Sequence, residues 1–587
     1  MEHTVPVLGR GTVTCCTVEP GARPEGSVFL LKICFAVPDT AIPVPGQFFM
    51  LRSMQGAVLL GRPISVFHYT KTADGVDLEF LILEKGPGTG ELCRLETGDS
   101  VELLGPLGNI FPAPQDPERP VCIIGGGIGI APVAGFAETL PPESYDFFAS
   151  YKSGSYGLEH IHPRQLVITT DDGSVGIMGM FPVALDAAKL RAGAYREVYA
   201  CGPAPLLAYV QQICAEADVP CWISMEQRMA CGMGVCLGCT IPTTEGNKRC
   251  CKEGPVFNAS VLIFEKPKSV PRLQPLHSEP DLSVVIGGVR LRNPVIASSG
   301  TFGFGTEYMP VMDVNALGAI CSKGVTLEPR EGNSGTRLWE TPSGLMNSIG
   351  LQNPGIPHFI TYELQDMLRL EPVIIANLSG STLESYVEGA KLLDKTAVPL
   401  VELNISCPNV STGGAAWGME CDAANRITAA VRAVTTKPLI VKLTPQAPDP
   451  AAVAMACRKA GADAISLCNS FQGVAVDIER GVPVFDKVKA GFGGPAVRPM
   501  AVRLVYETAQ AMNRLPETDR IPIIGIGGLA DWRDAVEFIM AGASAVAVGT
   551  TTFARPTAMI EIISGLSGFM KRKGYRTIDD MRGIILK

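Results

Sequence analysis

The 587-residue sequence lacks three features, and each absence excludes a class of protein. It has no run of about 18 uninterrupted apolar residues, so no membrane-spanning helix is predicted. It has no excess of basic residues, because the net charge is −8, and this argues against a nucleic-acid partner, which requires a basic face. Its first residues lack a basic segment followed by an apolar one, so we expect no secretory signal and a cytoplasmic protein.

Cysteine, by contrast, is abundant, with 18 residues. Most stand singly in apolar stretches and are expected to be small buried hydrophobic residues in a reducing compartment. Residues 231–251 differ, because they read CGMGVCLGCTIPTTEGNKRCC and have the C-x4-C-x2-C spacing of plant-type ferredoxins, followed by a distal cysteine. This spacing predicts a 2Fe–2S cluster, with ligands Cys231, Cys236, Cys239 and either Cys250 or Cys251.

Zinc is the alternative metal for this segment. A zinc site usually pairs C-x2-C with a second such pair or with histidines, and neither is present here. The interspersed glycines let the backbone wrap closely around two irons. The pattern therefore favours the iron–sulfur cluster.

The pattern of apolar and turn residues predicts several domains. Short strands broken by Gly and Pro fill the first hundred or so residues and indicate a small β-barrel or sandwich. The next stretch alternates strands with helices, as in a nucleotide-binding unit, and a proline-containing linker follows the cysteines. We predict a β-barrel at 1–115, an α/β nucleotide domain at 116–220, a cluster domain at 221–265, a linker at 266–280 and a TIM barrel at 281–587.

The TIM barrel is predicted from eight short buried-type strands that alternate with helical stretches over about 300 residues. Five of the strands are entered through a proline. The predicted strands are residues 294–298, 317–323, 372–378, 399–405, 438–444, 463–468, 522–527 and 545–549.

Polar residues follow nearly every one of these strands, at the end of a TIM barrel where function resides. Amides and lysines suit a flat ring rich in heteroatoms, and glycines after the last two strands suit a phosphate held by backbone N–H groups. FMN has both parts. Each residue alone would be an ordinary surface or turn residue, so the prediction depends on their joint placement. They are Lys323, Gly324, Asn377, Asn404, Ser406, Cys407, Asn409, Lys442, Asn469, Ser470, Gly527, Gly528, Gly549 and Thr550.

Two weak motifs and one stronger motif precede the cysteines. GRPISVFHY carries Arg62, whose planar fork could bind a diphosphate, and GPGTGEL places Gly88 and Thr89 at a turn. GGGIGIAPV (125–133) follows an apolar strand and opens a helix, which is an arrangement that cradles phosphate groups.

The order of these motifs over residues 1–265 resembles the electron-transfer subunit of dihydroorotate dehydrogenase. RPIS, GPGT, GGGIGIAP, DDGSVG, CGP and the cysteine cluster appear in that order, with EQRMACG and CCKEGPVF around the cysteines. The resemblance implies FAD at Arg62, Pro63, Ile64, Ser65, Gly88 and Thr89, and a nicotinamide nucleotide at the glycine loop and CGP. It also implies that Cys251, rather than Cys250, is the fourth ligand.

Residues 281 onward resemble the barrel subunit of the same family, through NPVIASSGTFGFG, NSIGLQNPG, ANLSGS, NISCPN, VKLTP and IGIGG. The resemblance implies that Cys407 is the catalytic base. It implies FMN contacts at Ser299, Lys323, Gly324, Asn377, Asn404, Lys442, Cys468, Gly494, Gly527, Gly528, Gly549 and Thr550. It implies substrate contacts at Lys323, Asn347, Ser348, Ile349, Gly350, Leu351, Asn404, Asn469 and Ser470, to which Asn409 adds an amide.

The resemblance implies an enzyme of pyrimidine biosynthesis that oxidises dihydroorotate to orotate. Electrons would pass from FMN to the 2Fe–2S cluster, to FAD and to NAD, and the chain would form a homo-oligomer through the barrel. The fusion of two subunits in one chain departs from the family. One alternative is a dihydrouracil-type dehydrogenase, although such enzymes have a histidine where this chain has Asn409. The others are an electron-transfer module with an inactive barrel and a binding or regulatory protein.

Overall fold

A computed structural model describes residues 4–22, 28–56, 58–115, 119–264, 273–406 and 415–586. The chain divides into two compact units, residues 1–268 and 269–587. The division falls inside the predicted linker at 266–280, of which residues 266–272 lie outside the described residues. Cys407 and Asn409 also lie outside them.

The first unit begins with a seven-stranded antiparallel sheet of order β4-β3-β7-β1-β2-β6-β5, which confirms the predicted small β domain. Apolar residues alternate along its strands, so one face packs into a core that includes Leu31, Phe49 and Phe80. The elements are β1 Val7–Val18, β2 Val28–Phe35, β3 Phe48–Ser53, β4 Arg62–Ser65, β5 His68–Lys71, β6 Val76–Leu83, α1 Pro87–Cys93 and β7 Ser100–Leu107.

A second sheet of seven strands follows, with order β11-β10-β9-β8-β12-β13-β16. Its strands are parallel except for the last, which pairs antiparallel with its neighbour. The elements are β8 Val121–Gly126, α2 Ile130–Ala137, β9 Tyr145–Tyr151, β10 Gln165–Thr170, β11 Ile177–Met178, α3 Ala187–Ala192, β12 Val198–Cys201, α4 Ala204–Ala217, β13 Cys221–Ser224, β14 Thr240–Ile241, β15 Lys248–Arg249 and β16 Val256–Asn258.

This sheet differs from the sequence prediction at one point. β13 and β16 complete the nucleotide sheet, although the sequence assigns them to the cluster domain at 221–265. The chain therefore leaves the sheet after β13, forms the small β14–β15 hairpin with the cysteines, and returns to the same edge as β16. The cysteine segment is thus an insertion at the edge of the nucleotide sheet.

The second unit contains a closed parallel barrel, β19-β20-β23-β24-β25-β26-β31-β32, which confirms the predicted TIM barrel and all eight of its strands. Its strands are β17 Val284–Ile286, β18 Val289–Leu291, β19 Val295–Ala297, β20 Ala319–Cys321, β21 Leu338–Thr341, β22 Gly344–Asn347, β23 Val373–Leu378, β24 Leu400–Asn404, β25 Leu439–Lys442, β26 Ala464–Leu467, β27 Phe471–Val474, β28 Val476–Asp477, β29 Val482–Pro483, β30 Lys489–Gly493, β31 Ile523–Ile526 and β32 Ala545–Val548.

Two smaller sheets lie at opposite ends of the barrel. The β17–β18 hairpin turns at Gly287, which packs against Leu400, Pro438 and Asp463 at the N-terminal ends of β24 to β26. The antiparallel sheet β21-β22-β30-β27 continues from the C-terminal end of β26 through β27. One end of the barrel is therefore closed by a hairpin, and the other carries a sheet beside the strand ends that hold the predicted site.

Helices separate most of the barrel strands, as the sequence predicts. Several begin at a side-chain cap, such as Thr382, Asp449 and Asp531. Within the described ranges, no helix is both long and apolar enough to cross a membrane. The helices are α5 Ile356–Thr361, α6 Glu363–Met367, α7 Leu383–Asp394, α8 Ala415–Gly418, α9 Cys421–Arg432, α10 Pro450–Lys459, α11 Arg498–Met512, α12 Trp532–Met540, α13 Thr551–Ala554, α14 Ala558–Lys573 and α15 Ile578–Met581.

The barrel core makes a stability prediction. Leu403 on β24 is fully buried, so Leu403→Ala leaves a cavity and should lower the free energy of unfolding by about 2–5 kcal/mol. Urea unfolding followed by tryptophan fluorescence measures this, since three of the four tryptophans lie in the barrel unit. Leu338→Ala is the matched control, because Leu338 is 53% exposed and its loss should cost at most about 0.5 kcal/mol. Equal effects of the two substitutions would contradict the described core.

Candidate active site

A cleft at the carboxyl end of the barrel brings together many of the predicted residues. Successive side chains of a strand point to opposite faces, so every second residue of each barrel strand faces the interior and meets its counterparts from neighbouring strands. Thr301, Phe471, Phe492 and Thr551, which were not predicted, also line the cleft. The predicted residues in the lining are Ser299, Lys442, Cys468, Asn469, Ser470, Gly494, Gly527, Gly528, Gly549 and Thr550.

One part of the cleft has few side chains. Gly527 and Gly528 follow β31, and Gly549 follows β32. Gly527 and Gly528 have φ angles of +127° and +77°, which glycine adopts readily, and a side chain on Gly528 would meet the backbone of Arg498. Glycine at these two positions therefore lets α11 pack closely against the strand ends, and the same residues line the cleft at the end of the barrel where phosphate groups bind.

Asn377 and Asn404 do not line this cleft but lie beside it on β23 and β24. Both side chains are buried, and Asn404 Nδ2 donates to Asn377 Oδ1 at 3.3 Å. Gly324 packs against Asn377, since a Cβ on Gly324 would lie 2.9 Å from Asn377 Oδ1. The strand ends of β20, β23 and β24 thus form a second polar group of predicted residues.

A chain of hydrogen bonds joins the two groups. Ser406 Oγ donates to Asn404 Oδ1 at 2.7 Å, and Asn469 Nδ2 donates to Ser406 Oγ at 3.0 Å. Asn469 Oδ1 in turn accepts from the backbone N–H of Ser470 at 2.8 Å. Polar groups from β23 to β26 are therefore fixed relative to one another, and the chain is held at Ser406, the residue before Cys407.

Glu402 is a further residue of this region that the sequence did not predict to be functional. Its carboxylate is 4% exposed and accepts hydrogen bonds from Asn377 Nδ2 at 2.6 Å and Ser466 Oγ at 2.8 Å. Lys442 Nζ lies 3.7 Å from Glu402 Oε1. The strand sequence LVELN contained the signal, because the two-residue period places Glu402 on the same face as Asn404.

Lys323 follows β20 next to Gly324 and is not part of the lining of the cleft. It is half-buried, and its backbone N–H donates to the carbonyl of Gly303 at 3.0 Å. Burial lowers the pKa of the Lys323 ammonium below its ordinary value; the negative charge of Glu307 partly opposes this shift, and the positive charge of Arg337 adds to it. Its charge is therefore lost at lower pH than that of a surface lysine.

The predicted segment from Asn347 to Leu351 lies beside the strand ends rather than in the lining of the cleft. Asn347 ends β22, and its Nδ2 donates to the carbonyl of Gly491 on the paired strand β30 at 3.4 Å. A Cβ on Gly491 would lie 2.9 Å from Ser470, so Asn347 and Ser470 contact the same glycine. Leu351, at the other end, packs against Gly324. The segment therefore spans the distance between the two polar groups.

The N-terminal unit brings together the two predicted diphosphate motifs. A side chain on Gly88 would overlap the guanidinium of Arg62, so Arg62 rests directly on the turn at the start of α1. Pro63 and Ile64 follow Arg62 on β4, opposite Met50 and Phe49 of β3. The hydroxyl of Thr89 accepts from the backbone N–H of Gly86 at 3.2 Å and caps the helix. Arginine, turn and strand thus form one surface.

A cavity of about 1020 Å³ opens where the strand order of the second sheet reverses, between β8 and β12. Gly126 to Gly129 and Gly202-Pro203 line it from these two strand ends. Asp171 and Asp172 line it as well. Such a reversal is the usual place for a nucleotide in an open α/β sheet, and the cavity is within the size range of ligand pockets.

The cysteine segment packs against the first sheet. Cys239 and Cys251 are buried with Met50 on β3 and Leu107 on β7. A side chain on Gly232, whose φ is +67°, would meet both Met50 and Leu107, so the loop lies close to that sheet. Since Met50 pairs with Pro63, the cysteines lie next to the strand that carries Arg62.

The hydrogen bonds of the thiols separate Cys250 from its neighbours. The backbone N–H of Cys251 donates to Cys239 Sγ at 3.4 Å, whereas Cys250 Sγ donates to the carbonyl of Met225 at 3.2 Å. Although burial opposes it, backbone N–H groups of Cys236 and Met233 lower the pKa of Cys231 to about 6.

The donor set of this segment fits a two-iron cluster. Cys231, Cys236, Cys239 and Cys251 supply four thiols with the plant-type ferredoxin spacing, and Cys250 Sγ has another partner, the carbonyl of Met225.

Comparisons with known proteins match two segments of the chain to family models. Residues 281–570 match the family model "Dihydroorotate dehydrogenase", and residues 226–263 match "Iron-sulfur cluster binding domain of dihydroorotate dehydrogenase B". The chain is 48% identical to the dihydroorotate dehydrogenase B (NAD(+)) catalytic subunit of Petrotoga mobilis over 305 residues, which are 52% of this chain and 99% of the relative. The same subunit of Caldicellulosiruptor saccharolyticus is 46% identical over the same shares. A crystal structure of DHODH from Eimeria tenella with ferulenol has a TM-score of 0.44 and 20% identity, covering 54% of this chain and 91% of that one.

Proposed function

Because the chain belongs to the dihydroorotate dehydrogenase family and oxidises dihydroorotate to orotate, we propose that its barrel cleft holds FMN beside the substrate. We also propose that its N-terminal unit passes the electrons through a 2Fe–2S cluster and FAD to NAD. The observation that carries the proposal is the cleft itself, in which ten predicted residues from separate strand ends converge.

The cleft has a place for each part of FMN. The backbone N–H groups around Gly527, Gly528, Gly549 and Thr550 would bind the phosphate, as glycine-containing loops after the last two strands do in TIM barrels. Lys442 and the amides of the neighbouring strands bind the heteroatoms of the ring. When bound, FMN accepts a hydride from the substrate, the cluster transfers single electrons, and FAD delivers a hydride to NAD.

Cys407 is the proposed general base for the proton next to the substrate carbonyl. A thiol has an ordinary pKa of about 8.5, close enough to neutral pH for this role. Cys407 and Asn409 lie outside the described residues, so their support comes from the neighbouring residue Ser406, whose hydroxyl is fixed between Asn404 and Asn469. Asn347, Asn404, Asn469 and Ser470 supply amides and a hydroxyl to the substrate ring.

The N-terminal unit is proposed to carry the electrons from the barrel to NAD. We assign FAD to β4 and the Gly88–Thr89 turn, and NAD to the cavity between β8 and β12. Cys231, Cys236, Cys239 and Cys251 hold the cluster, and their contact with β3 keeps it next to the FAD strand. Short distance between centres is what single-electron transfer requires.

The family match at 281–570 favours dihydroorotate over the dihydrouracil-type substrate, and favours catalysis over a barrel without activity. The domain assignments given above, with FAD at 1–115 and NAD at 116–220, belong to this proposal, although β13 and β16 join the nucleotide sheet. Assembly through the barrel and a cytoplasmic location stay predictions.

The role of Cys407 is tested by Cys407→Ala. The variant loses the base but keeps the cleft, so dihydroorotate oxidation should fall at least about 100-fold while bound FMN is retained. Stopped-flow reduction of the flavin by dihydroorotate measures the step directly. Cys421→Ala is the control, because Cys421 is an exposed thiol of the same unit and its loss should change nothing. Normal flavin reduction in Cys407→Ala would reject the assignment.

The role of Lys323 makes a pH prediction. Its lowered pKa means that the ammonium form, which attracts the anionic substrate, is lost as pH rises, and earlier than for a surface lysine. KM for dihydroorotate should therefore increase with pH over the range below the ordinary lysine pKa of about 10.4, where a surface lysine keeps its charge. Lys323→Arg keeps its charge over this range, so its KM should be higher but flat. A wild-type KM that does not change with pH, or a parallel increase in the arginine variant, would contradict the assignment.

A further inference from the structure

Glu402 is a buried acid that the proposed chemistry leaves without a role. Its side chain points into the barrel from β24, and the residue is 4% exposed. It does not line the cleft, but Lys442 does, and Lys442 is also 4% exposed. A carboxylate in such a position costs free energy unless it is paired and hydrogen-bonded.

Groups from four neighbouring strands meet the carboxylate. Oε1 accepts from Asn377 Nδ2 at 2.6 Å and from Cys321 Sγ at 3.4 Å, and it lies 3.7 Å from Lys442 Nζ. Oε2 accepts from Ser466 Oγ at 2.8 Å. Both oxygens are therefore satisfied, and the one cation among these partners is Lys442.

The same contacts fix the Asn377 amide. Because its Nδ2 donates to Glu402, its Oδ1 faces the other way and accepts from Asn404 Nδ2 at 3.3 Å and Ser379 Oγ at 3.2 Å. Glu402 thus orients two residues of the proposed flavin site, Lys442 and Asn377, without reaching the cleft itself.

Charge is the second consequence of this position. A flavin gains negative charge on reduction, and the ammonium of Lys442 in the cleft favours that gain. A carboxylate 3.7 Å behind the ammonium opposes it, and in a dry interior the opposition is strong. The pair together has no net charge, so Lys442 offers the flavin a directed hydrogen bond more than a full positive charge.

We propose that Glu402 is a positioning residue that offsets the charge of Lys442 and so keeps the reduction potential of the flavin low. A flavin stabilised too strongly in its reduced state would retain electrons that must pass on to the cluster. This inference rests on the proposed function, since it requires FMN in the cleft beside Lys442.

Glu402→Gln tests the proposal in the full-length protein with its cofactors. Glutamine keeps the size and an acceptor oxygen but removes the charge. In an anaerobic redox titration followed by absorbance, FMN and FAD should bleach as two flavin waves. The variant should shift one wave to more positive potential by at least a tenfold change in its equilibrium, or about 30 mV for two electrons. The other flavin wave and the cluster serve as internal references and should not move.

Three further variants separate charge from structure. Glu388→Gln removes the same charge from an exposed ion pair with Lys391 and should leave both waves unchanged. Ser466→Ala removes a hydrogen bond to Glu402 but keeps its charge, so its potential should stay near that of the wild type. Glu402→Asp shortens the side chain by one methylene and so moves the carboxylate away from Lys442. Its reduction potential should shift in the same direction as that of Glu402→Gln, but by less.

The outcomes discriminate clearly. Normal FMN content with an unmoved wave in Glu402→Gln would overturn the proposal and leave the function intact. An equal shift in Ser466→Ala would also overturn it, by assigning the effect to geometry. If Glu402→Gln does not retain FMN, the test uses Glu402→Asp instead, and an unchanged flavin potential in that variant would overturn the proposal. A wild-type protein without FMN would instead refute the proposed function.

Discussion

The ion pair between Glu402 and Lys442 is the interaction on which the barrel site depends, because each of these two charges, both 4% exposed, compensates part of the free-energy cost of burying the other. Closing eight strands into a barrel forces every second side chain inward, and near the carboxyl end those side chains are polar. Their mutual hydrogen bonds compensate the loss of water. The same hydrogen bonds hold amides and an ammonium in fixed directions, and a site that must recognise two flat rings needs that rigidity.

The structure of the N-terminal unit depends on a different constraint, the close approach of backbone segments to neighbouring side chains. Glycines occur where a side chain would collide with a neighbour: Gly88 under Arg62, and Gly232 against Met50 and Leu107. The first contact joins the two diphosphate motifs into one surface. The second brings the cysteine segment next to the strand that carries Arg62. Cluster and proposed FAD site are neighbours because glycine lets two backbones approach each other.

Much of this arrangement could be predicted from local sequence. The eight barrel strands are short apolar runs with polar ends, and the cysteine spacing depends on 21 consecutive residues. The features that the sequence did not predict depend on contacts between segments that are distant along the chain. β16 joins the nucleotide sheet across the cysteine segment, a pairing that no periodicity reports. In the sequence, Glu402 is a single charge in an apolar strand. Only the folded structure shows that it contacts Lys442 and Ser466, which lie on later strands.

Electrons from the barrel are proposed to leave through the four thiolates of the N-terminal unit. Replacing Cys236, the exposed thiol of the four, by serine removes one ligand of the proposed cluster. We expect Cys236→Ser, assayed with dihydroorotate, to reduce an artificial dye at the barrel but to form no NADH. NADH formation at the wild-type rate, in protein shown to lack the cluster absorbance, would contradict it.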